Sequence, residues 1–262
     1  LARLKIGVSL PSMGLPLRRA LDEVRRLGVA GVEVEATGDL APDHLSASGR
    51  RELRHLLNSH GLELAALRCP LRRGFDTPDN LQPRIEHAQR VMAQAYDLGT
   101  RIVVVQAGRI PDQDDDPRTP FLVESLQALG RHGDRTGAVL ALETGLEPGE
   151  LLARFLGRFD TGGLGVAFDP ANLLMCGFNI YECARALHGR IVYSHAKDAR
   201  SATANRAAQE VPLGHGDIDW MSLLGVYEEI GYRGWLTIER EGGTDRLADV
   251  AAGARFLGRL VV

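Results

Sequence analysis

The chain alternates from end to end between short apolar runs and longer amphipathic stretches. Eight runs read as buried strands: residues 4–9, 31–35, 62–67, 101–106, 139–143, 164–169, 191–195 and 235–239. Eight stretches with helical periodicity follow them in turn: 17–27, 47–60, 80–98, 121–136, 150–159, 180–187, 220–230 and 244–259. Gly28, Gly61, Gly99, Gly137, Gly189 and Gly231 stand at the returns from helix to strand, where a left-handed cap ends a helix. The repeat is roughly 30 residues, which is a ~250-residue chain divided into eight βα units. Such alternation demands a parallel sheet with helices outside it. Eight units predict an α/β fold closed into a single-domain (β/α)8 TIM barrel over residues 1–262, in preference to an open doubly wound sheet. No G-x-G-x-x-G follows the first strand, which argues against a dinucleotide site.

Bulk properties narrow the function classes. A hydrophobic content of 44% is enough for a large core. The formal net charge of −3 implies no basic surface and speaks against nucleic acid as a partner. No apolar run approaches the ~20 residues of a membrane span, so no membrane partner is expected. No signal peptide is visible, and three sparse cysteines, Cys69, Cys176 and Cys183, suggest reduced thiols and a cytoplasmic location. Lys5 and Lys197 are the only lysines among 31 basic residues, a bias that a GC-rich genome explains.

Four residues end late strands: Glu143, Asp169, His195 and Glu239. In a barrel the C-terminal strand ends converge on one mouth. A charge placed directly after a buried run is costly unless it is paired or bound to metal. For one acid, an N-cap or a surface ion pair is the ordinary explanation. For the whole set at successive repeats, an oxygen-rich ligand set for one divalent metal is the better one. Such an O/N set accepts Mn2+, Mg2+, Co2+ or Zn2+ according to supply. Glu35 and Gln106 end earlier strands and are candidates to line the pocket, with strand-end solvation as the plain alternative. Lys197 stands two residues past His195 as a candidate for a substrate oxygen or a phosphate, against a surface ion pair with Asp198. His215 in Gly214-His215-Gly216 is a candidate substrate contact, against a solvated loop histidine. The irregular stretches 108–120 and 197–217 both follow strands and belong on the same face, where long loops are commonly functional. Phosphate binding by Lys197, Gly214–Gly216 and Arg240 stays open. Arg68 and Cys69 follow the third strand and face the same mouth; Cys69 has no recognisable catalytic partner. Trp220 and Trp235 are read as core or oligomer contacts.

These motifs are Ala141-Leu142-Glu143-Thr144, Ala167-Phe168-Asp169-Pro170-Ala171-Asn172, Tyr193-Ser194-His195-Ala196-Lys197-Asp198 and Thr237-Ile238-Glu239-Arg240-Glu241. With the glycine-rich stretch from Val211 to Trp220 and the Tyr232-Arg233-Gly234-Trp235 segment, the chain resembles the xylose isomerase-like TIM-barrel superfamily. The resemblance is to its sugar phosphate isomerase/epimerase branch, which includes the tagatose-type 3-epimerases. It implies one Mn2+, Mg2+ or Co2+ held by Glu143, Asp169, His195 and Glu239. It also implies that Glu143 and Glu239 carry out proton transfer, with Asp169 and His195 as plain ligands. Asn172 replaces a histidine that contacts substrate in the epimerases. Asn can hydrogen-bond a hydroxyl but cannot titrate, so the resemblance leaves the substrate, and 3-epimerisation itself, open. By the same resemblance Arg206 reaches back from its loop to the substrate, and a homodimer or homotetramer is expected.

The activity so implied is isomerisation or epimerisation of a small keto-sugar or sugar phosphate. A proton is abstracted next to a carbonyl and an enediolate forms. A metal-dependent lyase or dehydratase acting on keto-sugars, keto-inositols or 3-keto-glycosides starts with the same step and is the alternative. Two further readings rank lower. An apurinic-site endonuclease of the same superfamily needs extra His and Asp ligands, and Leu67-Arg68-Cys69-Pro70 and Gln106-Ala107-Gly108 offer no histidine. A non-catalytic sugar-binding barrel has no need of two carboxylates beside one metal.

Overall fold

A computed structural model describes residues 4–261; residues 1–3 and 262 of the expected domain lie outside the described residues. The strands are β1 (Lys5–Ser9), β2 (Gly31–Glu35), β3 (Glu63–Arg68), β4 (Ile102–Val105), β5 (Val139–Glu143), β6 (Leu164–Phe168), β7 (Ile191–Ala196), β8 (Asp198–Arg200), β9 (Gln209–Val211) and β10 (Trp235–Ile238). Eight of them close into a barrel in the order β1-β10-β7-β6-β5-β4-β3-β2. Every neighbouring pair in that barrel is parallel. The helices are α1 (Leu17–Leu27), α2 (Ala47–Ser59), α3 (Leu81–Leu98), α4 (Thr119–Thr136), α5 (Gly149–Leu156), α6 (Pro170–Met175), α7 (Ile180–Ala186), α8 (Trp220–Glu229) and α9 (Arg246–Leu260). The expected TIM barrel is therefore the observed fold, with element ends shifted by a few residues.

Two features depart from the expected elements. The stretch 197–217, expected to be irregular, contains the antiparallel ribbon β8–β9. Helix α6 follows Asp169 directly, where no helix was expected. It spans six residues, too few for a 3.6-residue period to show in sequence. Asp169 is its N-cap, accepting a hydrogen bond from the Asn172 amide, and Pro170 opens the first turn.

The barrel interior and the barrel–helix layer form separate apolar clusters. The interior cluster contains Ala66, Val104, Ala141, Ala167, Tyr193 and Trp235. Side chains alternate along a strand, so positions two apart share a face. Moving two residues at a time up each strand from this cluster leads to Arg68, Gln106, Glu143, Asp169, His195 and, by way of Thr237, Glu239. The small alanines leave room for the two large rings. Trp235 fills the N-terminal end of the barrel, with the Lys5 ammonium 5.1 Å from its ring centre.

Gly31 is needed where it stands. A Cβ there would lie 2.5 Å from the Glu63 carbonyl oxygen and 2.6 Å from the Trp235 ring. Gly31→Ala is expected to destabilise the fold by about 1–3 kcal/mol through overpacking. Urea unfolding checks this: an unchanged midpoint would show that Trp235 yields without cost.

Candidate metal centre

Glu143 is the last residue of β5, Asp169 the first after β6, His195 the penultimate residue of β7 and Glu239 the first after β10. One ligand atom from each lies within 4.8 Å of the others. His195 Nδ1 is 3.2 Å from Glu143 Oε1, and 3.9 Å from both Asp169 Oδ2 and Glu239 Oε2. All four residues are buried, Asp169 and His195 completely. Glu143 Oε1, Asp169 Oδ2 and His195 Nδ1 are buried with no hydrogen-bond partner. Buried polar atoms left without partners carry a heavy desolvation cost. Three such atoms facing one another fit a divalent cation and nothing apolar. The donor set of three carboxylates and one imidazole suits the same kind of ion.

The surroundings fix how each ligand is presented. His195 Nε2 donates to Glu33 Oε2 at 3.0 Å, and Glu33 Oε1 accepts from Ser9 Oγ at 2.8 Å. Glu33 is fully buried. A carboxylate on one ring nitrogen sets the tautomer and frees the other nitrogen for metal. Gln106 Nε2 donates to Glu143 Oε2 at 2.9 Å. Asp169 Oδ1 is held by its N-cap bond, while the Asp169 amide donates to Thr144 Oγ1 at 2.8 Å. Lys197 Nζ lies 2.7 Å from Glu241 Oε2, 3.2 Å from Glu239 Oε2 and 3.5 Å from Asp169 Oδ2.

Charge and burial oppose each other here. Burial works against charge on His195, but Glu239, Glu33 and Glu143 outweigh it and hold the imidazole pKa well above its ordinary value. Burial likewise opposes the Lys197 charge, and Asp169, Glu239 and Glu241 more than offset it. Burial pushes the Glu143 carboxyl up, yet His195, Arg68 and Gln106 together bring it to about 2. For Glu239 burial prevails over His195, Lys197 and Arg68, and its pKa is raised.

The other sequence candidates divide. Gln106 and Lys197 touch the quartet, and Asn172 does so through its backbone. Lys197 is 2% exposed and pairs with Glu239 and Glu241, where an ion pair with Asp198 was the expected alternative. Arg206 does not join: it is exposed and donates to the Ser201 carbonyl within its own loop. The loop pairs with itself through the Thr203–Arg206 bridge, which turns the arginine back on its own backbone. His215 is exposed too, on the turn whose carbonyl accepts from Arg200. Glu35 ends β2 half-buried with no polar contact to the quartet. Trp220 and Trp235 are both core residues.

Two residues matter more than sequence reasoning allowed. Glu33 shares a strand face with Glu35 and, unlike it, meets the quartet; its signal in the sequence was an acid placed inside a strand between two valines. Arg68, noted only as facing the mouth, pairs with Glu239 and approaches Glu143 at 3.5 Å.

Comparisons with known proteins place the fold in a family. The family model for the xylose isomerase-like TIM barrel matches residues 21–260, and the chain belongs to that family. The rhizopine catabolism protein MocC of Rhizobium meliloti is 29% identical, over 94% of this chain and 86% of that protein. An inosose dehydratase of Clostridium beijerinckii is 22% identical, over 85% of this chain and 81% of its own length. Among solved structures, a xylose isomerase domain protein from Planctomyces limnophilus superposes with a TM-score of 0.88 at 27% identity, covering 98% of this chain and 97% of that one. A D-tagatose 3-epimerase-like protein superposes with a TM-score of 0.79 at 20% identity over 98% of both chains, which is a likeness of fold. No helix among the described residues is long and apolar enough to cross a membrane.

Two outcomes follow from the ligand environment. Because the His195 pKa is raised, a metal must displace its proton. Mn2+ affinity should rise by about tenfold per pH unit below that pKa, with close to one proton released. Calorimetry in two buffers of different ionisation enthalpy measures the release; no released proton would mean that His195 is not a ligand. Glu33→Gln keeps a hydrogen-bonding group but loses the charge opposite His195. It should weaken Mn2+ binding by about 10–100-fold with the fold intact, as read by calorimetry and circular dichroism.

Proposed function

We propose that the protein is a divalent-metal-dependent isomerase or epimerase of a small, uncharged keto-sugar or keto-polyol. The observation that carries this reading is that Glu143 and Glu239 share one buried cluster with Asp169 and His195, a ligand atom of each lying within 4.8 Å of the others. Glu143, Asp169, His195 and Glu239 hold the ion. When bound, it supplies Lewis-acid stabilisation to negative charge developing on the carbonyl and adjacent hydroxyl oxygens. One of the two carboxylates, Glu143 or Glu239, takes the proton from the carbon next to the carbonyl, and the C–H electron pair passes into the enediolate. The other, entering as the acid, returns a proton to that framework.

An uncharged substrate is supported by what already occupies the places where barrels bind phosphate. Those places are the loops after the last strands and a helix N-terminus nearby. Lys197 is paired with carboxylates, and Arg240 with Asp249 at 2.9 Å and Glu210 at 3.1 Å. The amides of Gly214 and Gly216 both donate to Asp198 Oδ2. The N-termini of α8 and α9 are capped by Asp219 and Asp245. The chain's own carboxylates thus occupy these particular donors.

A second reading is dehydration or another elimination after the same proton abstraction. It is favoured by the sequence relatives, one of which is named an inosose dehydratase. The two readings differ only in the fate of the enediolate, which is reprotonated or expels the group on the next carbon.

Proton exchange in D2O tests both. Metal-loaded protein is incubated with ketoses, 2-keto-inositols and 3-keto-glycosides and followed by NMR. Deuterium entry with a new epimer or aldose supports the first reading; loss of a hydroxyl or glycosyl group supports the second. Glu143→Gln and Glu239→Gln should each lower the exchange rate by about 10²–10⁴-fold, the usual contribution of a positioned acid or base. Wild-type exchange in either variant would remove that residue from the proton path.

A further inference from the structure

Arg68 is the only permanent cation among the described residues within ion-pair distance of both carboxylates assigned to proton transfer. It leaves β3 at the mouth and reaches across the opening. In the barrel order, β5 lies two strands away on one side and β10 three strands away on the other.

Each carboxylate divides its two oxygens. Glu143 turns Oε1 toward the shared focus and Oε2 toward Gln106 and Arg68. Glu239 turns Oε2 toward the focus and Lys197, and Oε1 toward Arg68. Arg68 therefore stands on the sides of both carboxylates that a metal would leave open. Its Nη1 is hydrogen-bonded to Glu239. Its Nη2 lies 3.5 Å from Glu143 Oε2 and 3.8 Å from Glu241 Oε1, without a hydrogen bond to either. The side chain is 14% exposed, and none of its nitrogens is a buried orphan. The Nη2 edge is open to the mouth.

We propose that Arg68 is a catalytic residue that contacts the substrate. Its Nη2 donates to the oxygen that gains charge when the proton leaves carbon. This rests on the proposed proton-transfer function. A carbon whose proton passes between Glu143 and Glu239 lies within reach of both. A guanidinium touching both lies beside that carbon and within reach of the carbonyl oxygen on the adjoining carbon, where the charge of the lost proton develops. Arginine suits the task because it is always charged, carries five donors in a fixed fork and cannot surrender a proton to the neighbouring acids. A donor fixed before reaction, at the place where charge develops, is a strong form of catalytic stabilisation. A mere clamp on the two acids fits less well, since Arg68 hydrogen-bonds only Glu239 while Gln106 already serves Glu143.

The experiment compares wild type, Arg68→Lys and Arg68→Met in two titrations. The first is Mn2+ alone. The second is glycolohydroxamate, a planar mimic of an enediolate, added to the Mn2+-loaded protein. Mn2+ affinity should be retained in all three. Affinity for the mimic should fall by at least about tenfold in Arg68→Met, as for loss of a hydrogen bond to a charged group, with Arg68→Lys in between. Equal affinity for the mimic in wild type and Arg68→Met would overturn the assignment while leaving the proposed function standing. Loss of Mn2+ binding in both variants would overturn it too, making Arg68 a positioning residue for the ligands. Wild-type protein that fails to bind Mn2+, or binds it without binding the mimic, would overturn the proposed function and this inference with it.

Discussion

Four carboxylates and an imidazole are held out of water at one end of the barrel, and most of the local structure answers to that fact. Glu33, Glu143, Asp169 and Glu239 are all buried, against Arg68, Lys197 and His195. Charges taken from water cost several kcal/mol each unless close partners repay it. The repayment here is a continuous network. Ser9 supports Glu33, Glu33 supports His195, Gln106 holds Glu143, Arg68 holds Glu239, and Lys197 ties Asp169 to Glu239 and Glu241. Within the quartet three buried atoms are left without a hydrogen-bond partner and face one another. Such a gap could hold a metal ion.

The barrel itself makes such a cluster affordable. Its interior is narrow, and the alanines of β3, β5 and β6 keep it so while Tyr193 and Trp235 fill the far end. The inward register of each strand then rises from apolar packing to a polar tip. Ala141 precedes Glu143, Ala167 precedes Asp169 and Tyr193 precedes His195, each two residues earlier. The backbone is rigid at these positions because every strand pairs on both sides. A ligand atom carried on a closed parallel sheet needs no loop to order it. The loops have different duties: Asp198 gathers the amides of Gly214 and Gly216 and the Trp220 indole, which ties the β8–β9 ribbon to the start of α8.

The relatives and the site bear on different parts of the chemistry. Family membership and the quartet support the first half of the proposed reaction, removal of a proton beside a carbonyl. In the proposed reaction, substrate choice would rest with residues around the mouth such as Arg68 and Asn172, outside the quartet itself. Differences at such positions allow one fold to serve several reactions.

The alternation of apolar runs and amphipathic stretches was enough to determine the barrel, because strand and helix periods differ and eight repeats leave little choice of topology. The quartet was legible for the same reason: an acid directly after a buried strand is costly anywhere except at the mouth. Glu33 was partly legible, as an acid within the strand reading 31–35, but sequence cannot say that His195 stands opposite it. The pairing depends on two strands 162 residues apart being brought together through the closure of the sheet. Arg68 and Lys197 were likewise visible as strand-end residues, while their partners across the barrel were not. Arg206 and His215 show the converse limit, since a loop can carry the right residue type and still turn it to solvent. Local sequence fixes which face of a strand a side chain takes; only the closed barrel decides which side chains from distant strands meet, because closure sets the register and the distance across the mouth.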